Sequence, residues 1–311
     1  LFTDLLAALL AVSGLMSPTA MAGDDIQCDP IEMAKLVFSA VNADFSNDHS
    51  VAISETTAVI GVHYEYAIGC AYIFEQQQDG SWLETAKLTA SDAANNDQFG
   101  RSVAISGSIA LIGAYREDGN GDDSGSAYVF EQQDDGTWLE ITKLTASDAD
   151  HWERFGYSVD ISGTTAVIGA YADDDIGDYS GSAYIFEKQK DGTWLETTKL
   201  LAADGLAYDN FGYRVKIQED TAIVSAFHNL SQSDTPYTGA VYVFEAQEDG
   251  SWIQTGKLEP SDGLSKDRFS LCIDLDGDYV IVGAEHASRQ GKQWARERHR
   301  LTGLVCSDEC D

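Results

Sequence analysis

Two short stretches carry the residue types that hold a hard cation. One reads Glu117-Asp118-Gly119-Asn120-Gly121-Asp122-Asp123, the other Asp173-Asp174-Asp175-Ile176-Gly177-Asp178. Carboxylate and amide oxygens alternate there with glycines that let a loop fold back on itself. Ca²⁺ takes about six to eight such oxygens, which makes two candidate ligand sets: Asp118, Asn120 and Asp122, or Asp173, Asp175 and Asp178. The competing reading is a solvated acidic loop, in a protein whose net charge is −33.

Other chemistry finds less support. The six His residues, His49, His63, His151 and His228 among them, do not recur at any fixed spacing. No Gly-x-Ser-x-Gly elbow, His-Glu-x-x-His helix or phosphate loop occurs. Paired carboxylates identify nothing where Asp and Glu number 52. Five cysteines (Cys28, Cys70, Cys272, Cys306 and Cys310) leave one over after pairing, and their connectivity is open. Asp92, Asp148, Asp204 and Asp262 do recur, and their expected role is a turn-forming side chain that bonds nearby amides. Trp82, Trp138, Trp194 and Trp252 recur too, as expected of packing residues, with sugar stacking as the alternative.

These residues are positioned by a repeat. Phe99 to Ala146 returns at Phe155 and Phe211, 56 residues later each time, and at Phe269 after 58; a degenerate copy starts at Phe45. Each copy holds four runs rich in Val, Ile, Tyr, Phe, Trp and Thr, the composition of strands. In the second copy they are Phe99–Ser106, Ile109–Tyr115, Ser126–Gln133 and Trp138–Thr145, with turns at Gly107-Ser108 and Asp135-Gly136. The first two runs are apolar on both faces, whereas the fourth alternates and carries Glu140 and Lys143. A sheet covered on both faces needs neighbours, and radial stacking of copies supplies them. The fold class expected is all-β, a propeller of four-stranded antiparallel blades with about five units.

Phe99-Gly100, Phe155-Gly156 and Phe211-Gly212, followed by Gly113-Ala114-Tyr115, Gly169-Ala170-Tyr171 and Gly283-Ala284, resemble FG-GAP repeats. That family includes the β-propeller of integrin alpha subunits. The similarity is greatest to the bacterial and algal variant with KLTASD and GSAYVFE between the two marks. It runs from about Lys35 to Ala284. It implies a binding or adhesion propeller, and Ca²⁺ in the integrin type. The integrin-type metal loop lies between the first two strands, however, where this protein has two-residue turns. Only Asp274-Leu275-Asp276-Gly277-Asp278 is similar, and it is too short for a full loop.

The two ends are read separately. Leu5 to Leu15 is apolar and precedes Ala20-Met21-Ala22, so residues 1–22 read as a secretory signal peptide that starts without its Met. A membrane anchor is the alternative, though the run is short for a span. Residues 31–41, IEMAKLVFSAV, match a fourth strand with no blade of its own. Lys35–Ser39 is therefore expected to pair with the last unit and close a ring of about five. The rival is a fragment of a seven-bladed propeller. Residues 285–311 form a degenerate, basic tail in which Gly303-Leu304-Val305-Cys306 reads as a remnant third strand.

The charge argues against nucleic acid and anionic membranes as partners, because both need basic patches. The expected function is a non-catalytic binding or adhesion module, secreted, on the cell surface or in the periplasm. Its protein or glycan ligand would sit on the loops at Arg116–Ser124, Ala172–Ser180 and His228–Thr238. A propeller lectin, or an exported hydrolase or lyase on the same scaffold, are the alternatives.

Overall fold

Strand-forming sequence with glycine-bearing turns gives an all-β molecule, with no helix among the described residues. The computed structural model describes residues 8–9, 35–36, 50–64, 68–227, 239–260, 269–284 and 302–306. The signal-peptide boundary, Cys28, Cys310, Asp262, the loop His228–Thr238 and most of the basic tail lie outside them.

Two short strands come first, β1 (Ala8–Leu9) and β2 (Lys35–Leu36). Four complete blades follow. The first is β3 (Ser50–Ser54), β4 (Thr57–Val62), β5 (Cys70–Gln76) and β6 (Trp82–Leu88). The second is β7 (Ser102–Ser106), β8 (Ile109–Ala114), β9 (Ser126–Gln132) and β10 (Trp138–Leu144). The third is β11 (Phe155–Ser162), β12 (Thr165–Ala170), β13 (Ser182–Lys188) and β14 (Trp194–Leu200). The fourth is β15 (Phe211–Gln218), β16 (Thr221–Ala226), β17 (Ala240–Ala246) and β18 (Trp252–Leu258). A partial fifth holds β19 (Phe269–Asp276), β20 (Tyr279–Ala284) and β21 (Thr302–Cys306). Each complete blade is an antiparallel meander in sequence order, as expected of a propeller blade.

The core lies between blades. One apolar cluster joins Val59, Ile73, Leu88 and Ala90 of the first blade to Phe99, Ile112, Tyr128, Phe130 and Trp138 of the second. The next two interfaces repeat it, with Leu144 and Ala146 against Phe155, Tyr184, Phe186 and Trp194, and Leu200 and Ala202 against Phe211, Tyr242 and Phe244. Each sheet thus buries one face forward and one face back, which is why its inner strands are apolar on both sides. Trp138 and Trp194 are 9% and 8% exposed. They pack between blades and offer no face to a sugar.

The two glycine marks meet at these interfaces. Gly156 has φ +83°, and a Cβ there would lie 2.2 Å from the Ser126 carbonyl oxygen. A Cβ on Gly113 of the preceding blade would lie 2.0 Å from the Gly156 carbonyl oxygen. The FG glycine of one blade and the Gly-Ala glycine of its predecessor press backbone on backbone, and no side chain fits between them.

Both ends differ from expectation. Lys35–Leu36 pairs with Ala8–Leu9, and the fifth sheet runs β19-β20-β21 without it. The expected pairing of Lys35–Ser39 with the last unit is corrected to that extent. Leu36 explains where this segment goes instead. It is buried against Ala58, Ile60, Tyr72 and Phe74, the face of the first blade that matches the surroundings of Leu88 one blade later. Thr302–Cys306 does take the third-strand place, but parallel to β20 rather than antiparallel. At Asp276↔Tyr279 the backbone makes a two-residue turn through Gly277-Asp278, so the aspartates around it form no loop.

Candidate functional site

Among the described residues the FG dipeptides, the Gly-Ala marks, the long loops between second and third strands and the interblade linkers fall at one end of the sheets. The two-residue turns fall at the other. At the FG end the long loops of the second and third blades are tied to the linkers that open the next blades. Trp152 N–H donates to the Asp122 carbonyl at 2.8 Å and Phe155 N–H to that of Ser124 at 2.9 Å. One blade on, Tyr208 N–H donates to the Asp178 carbonyl at 2.7 Å and Phe211 N–H to that of Ser180 at 2.9 Å. The loops also close on themselves, Gly125 N–H to Glu117 and Gly181 N–H to Asp173.

Beneath them runs a repeated polar constellation. Asp92, Asp148 and Asp204 each accept from a tyrosine hydroxyl of the next blade, Tyr128 at 2.7 Å, Tyr184 at 2.9 Å and Tyr242 at 2.9 Å. Each also holds a lysine of that blade, Lys143 at 2.8 Å, Lys199 at 2.7 Å and Lys257 at 2.7 Å. The recurring aspartate sits in the turn expected of it, with a hydrogen bond from its own amide, and is in addition a tie from the linker to the next blade. The sequence carries a signal for this, because Tyr and Lys keep the same period as Asp. Burial would raise the Asp148 carboxyl, but the Lys199 and Tyr184 hydrogen bonds outweigh it and hold it below the usual range. Burial opposes the charge on Lys199, and its three carboxylates overcome that and raise its pKa.

The predicted cation ligands fall in several places. In the first loop Asp118 accepts from the Asp123 N–H at 2.7 Å, and Asp122 faces His151, whose Nδ1 lies 3.8 Å from the carboxylate. Asn120 is exposed. The buried acid of this loop is Glu117, which binds Lys143 at 2.7 Å and which the spacing argument passed over. In the second loop Asp173 and Asp175 do come together, joined by Asp148 rather than by Asp178. Asp178 accepts instead from the Tyr208 hydroxyl at 2.9 Å.

Carboxylate oxygens of Asp148, Asp173 and Asp175 lie within 4.8 Å of one another, a group that could hold a metal ion. The Lys199 ammonium already sits among them, at 2.7, 2.8 and 2.5 Å. The donor set suits a cation, and the protein supplies one of its own. A Ca²⁺ ion could enter this group of carboxylates only by displacing the Lys199 ammonium.

An all-β arrangement of four blades and a partial fifth, with these glycine contacts, defines a propeller of repeat type. The FG-GAP repeat model matches residues 82–130, 138–186, 194–244 and 252–295, more than half of the sequence, so the chain belongs to the FG-GAP repeat family. The first three matched units start at an outer strand and end on the third strand of the next blade. Each of these three therefore spans an interface, with the Asp and Tyr of its tie, rather than a single blade, and the Lys of the tie falls in the next unit. FG-GAP repeats are found in extracellular adhesion and binding propellers of integrin type. Nothing among the curated proteins matches this sequence. Among the described residues no helix is long and apolar enough to cross a membrane.

Proposed function

We propose that the protein is a non-catalytic binding or adhesion module, exported to the cell surface or beyond, that holds a partner protein on the loop face at its FG end. The observation that carries this reading is the lacing of the loops Arg116–Ser124 and Ala172–Ser180 to the linkers of the next blades, which mounts exposed side chains on a rigid support. Trp152, Ile176, Tyr179 and Leu206 all stand exposed on these loops and linkers. Apolar groups on an acidic rim are what a protein interface uses as anchors. A glycan partner is less favoured, because Trp138 and Trp194 are buried and the long loops differ from copy to copy.

Export rests on the apolar stretch Leu5–Leu15 and on Ala20-Met21-Ala22. The test is to express the gene with its own N-terminus, locate the product, and compare capture of surface or matrix proteins by the wild type and by a W152S/I176S/Y179S variant. A folded variant that captures as well as the wild type would remove the loop face from the proposal.

Ca²⁺ is a second reading, favoured by the convergence of Asp148, Asp173 and Asp175. There it must displace the Lys199 ammonium. Asp118, Asn120 and Asp122 are the more open alternative set, and Asp178 could join Asp173 and Asp175 only by leaving Tyr208. Calorimetry with no heat of Ca²⁺ binding at millimolar levels would end this reading.

A further inference from the structure

All four arginines among the described residues gather at one place on the FG end. Arg101, Arg116, Arg154 and Arg214 surround Tyr115, Tyr157, Tyr171 and Tyr213, on the first two strands of the second to fourth blades and the segments flanking them. Tyr157 is the hub. Its ring lies 5.2 Å from Tyr115, 4.5 Å from Tyr171 and 5.1 Å from Tyr213. The Arg101 guanidinium stands 4.8 Å over that ring and that of Arg214 5.6 Å. Arg101 Nη2 donates to the Tyr157 hydroxyl at 3.2 Å, and that hydroxyl meets Tyr213 Oη at 3.2 Å.

The lysines of the interblade ties and Lys188 hold carboxylates. Of this cluster, Arg154 pairs with Asp123. Arg116 and Arg214 form no ion pair among the described residues; Arg116 Nε is buried with no hydrogen-bond partner, its guanidinium meets Tyr115 and shares the field of the Asp123 that Arg154 holds, and Arg214 Nη1 donates to the Tyr213 carbonyl at 3.1 Å. One carboxylate shared by two guanidinium groups, and none on a third that is half-buried, is a costly arrangement. Such a shortage of carboxylate is hard to explain in a protein of charge −33 unless something anionic completes the site. The local field agrees. Burial would raise the Tyr157 hydroxyl, yet Arg101 and Arg214 bring it below the usual tyrosine range.

We propose that this arginine–tyrosine cluster receives a carboxylate of the partner protein, from an Asp or Glu side chain or from its C-terminus. The proposal rests on the binding-module reading above and names the chemistry of its partner. A guanidinium fork matches a planar carboxylate through two parallel hydrogen bonds. Arg and Tyr are the residues that dominate protein–protein hot spots. The ring of Tyr157 is already covered by guanidinium groups and edged by other rings, which leaves no flat face for a sugar. The overall charge disfavours long polyanions and favours one local acidic contact.

The experiment is selection of a random peptide display library on the full-length protein, followed by affinity measurement of the selected peptides on R214Q, R116Q and R214K. The expected result is enrichment of Asp, Glu or a free C-terminal carboxylate, with binding at least tenfold weaker on R214Q, partly kept on R214K, and melting temperatures unchanged or raised. Selected peptides without acidic preference, or acidic ones indifferent to R214Q and R116Q, would overturn this proposal and leave the binding-module reading standing. Variants that lose stability together with binding would show that the arginines serve the fold, and would overturn it as well. A library that yields no binder, while acidic oligosaccharides bind the same face, would overturn both the carboxylate proposal and the protein-partner reading.

Discussion

Lys199 is the residue on which the cation question turns. Asp173 is fully buried, and its oxygen is shared between the Lys199 ammonium at 2.8 Å and the Tyr184 hydroxyl at 2.8 Å. Removing the ammonium would leave three carboxylates facing one another. K199M is expected to lose about 3–5 kcal/mol of stability in chemical denaturation, the usual result of breaking a buried pair. Millimolar Ca²⁺ should restore part of that loss in K199M and do little for the wild type. Equal Ca²⁺ response in both would show that the lysine does not stand in for a metal. Glu153 makes a second prediction at this scale. Its side chain is buried, and burial, assisted by the charges of Asp173 and Asp148, pushes the carboxyl up to about 7 against the Asp150 N–H hydrogen bond and Lys199. A carboxyl raised on folding stabilises fully below its unfolded value near 4.5, and that contribution is lost as pH climbs through about 7. The loss is roughly 3 kcal/mol between pH 5 and pH 8. Denaturant melts of E153Q should lack this fall, and an identical fall in E153Q would refute the assignment.

The element that decides the fold is the contact between one blade's FG turn and the Gly-Ala turn of its predecessor. G156A places a methyl group 2.2 Å from the Ser126 carbonyl oxygen at a φ of +83°. Neither backbone can give way without opening the interface, so a loss of about 3 kcal/mol or more is expected in equilibrium unfolding. A loss below about 1 kcal/mol would mean that the interface is looser than described. Strands were the legible part of the sequence. Val, Ile, Tyr and Phe at a fixed period marked every strand of the four complete blades to within a few residues, because each copy states the same boundary again. The polar ties were less legible. Asp148, Tyr184 and Lys199 keep the repeat period, but they are distant in sequence and meet only across an interface. A search for oxygen ligands within one loop therefore favoured Asp118, Asn120 and Asp122 and passed over Glu117 and Lys143. The arginine cluster had no sequence signal of this kind. Arg101 and Tyr157 hold equivalent places after their FG dipeptides, yet they differ in residue type.

At the scale of the whole molecule, stacking makes each blade depend on the next. The first blade's free face is covered by Leu36, which is 1% exposed. L36A is expected to cost about 2–4 kcal/mol and to speed hydrogen exchange in Ala58–Val62 before the third blade changes. Uniform exchange across all blades would show that Leu36 is not the local cover. The two ends resisted sequence reading for a related reason. Lys35-Leu36 and Gly303–Cys306 carry strand patterns, but a pattern does not state direction or partner. The one paired with Ala8–Leu9, and the other ran parallel where antiparallel was expected.

The central claim is that binding occurs on the FG end of the propeller. The most direct measurement compares two folded variants for partner capture. One carries W152S, I176S and Y179S on the loop face; the other carries D135S, K190S and D191S on the turns at the opposite end. The account predicts that the first loses capture at least tenfold and the second keeps it. Loss in the second with retention in the first would contradict it.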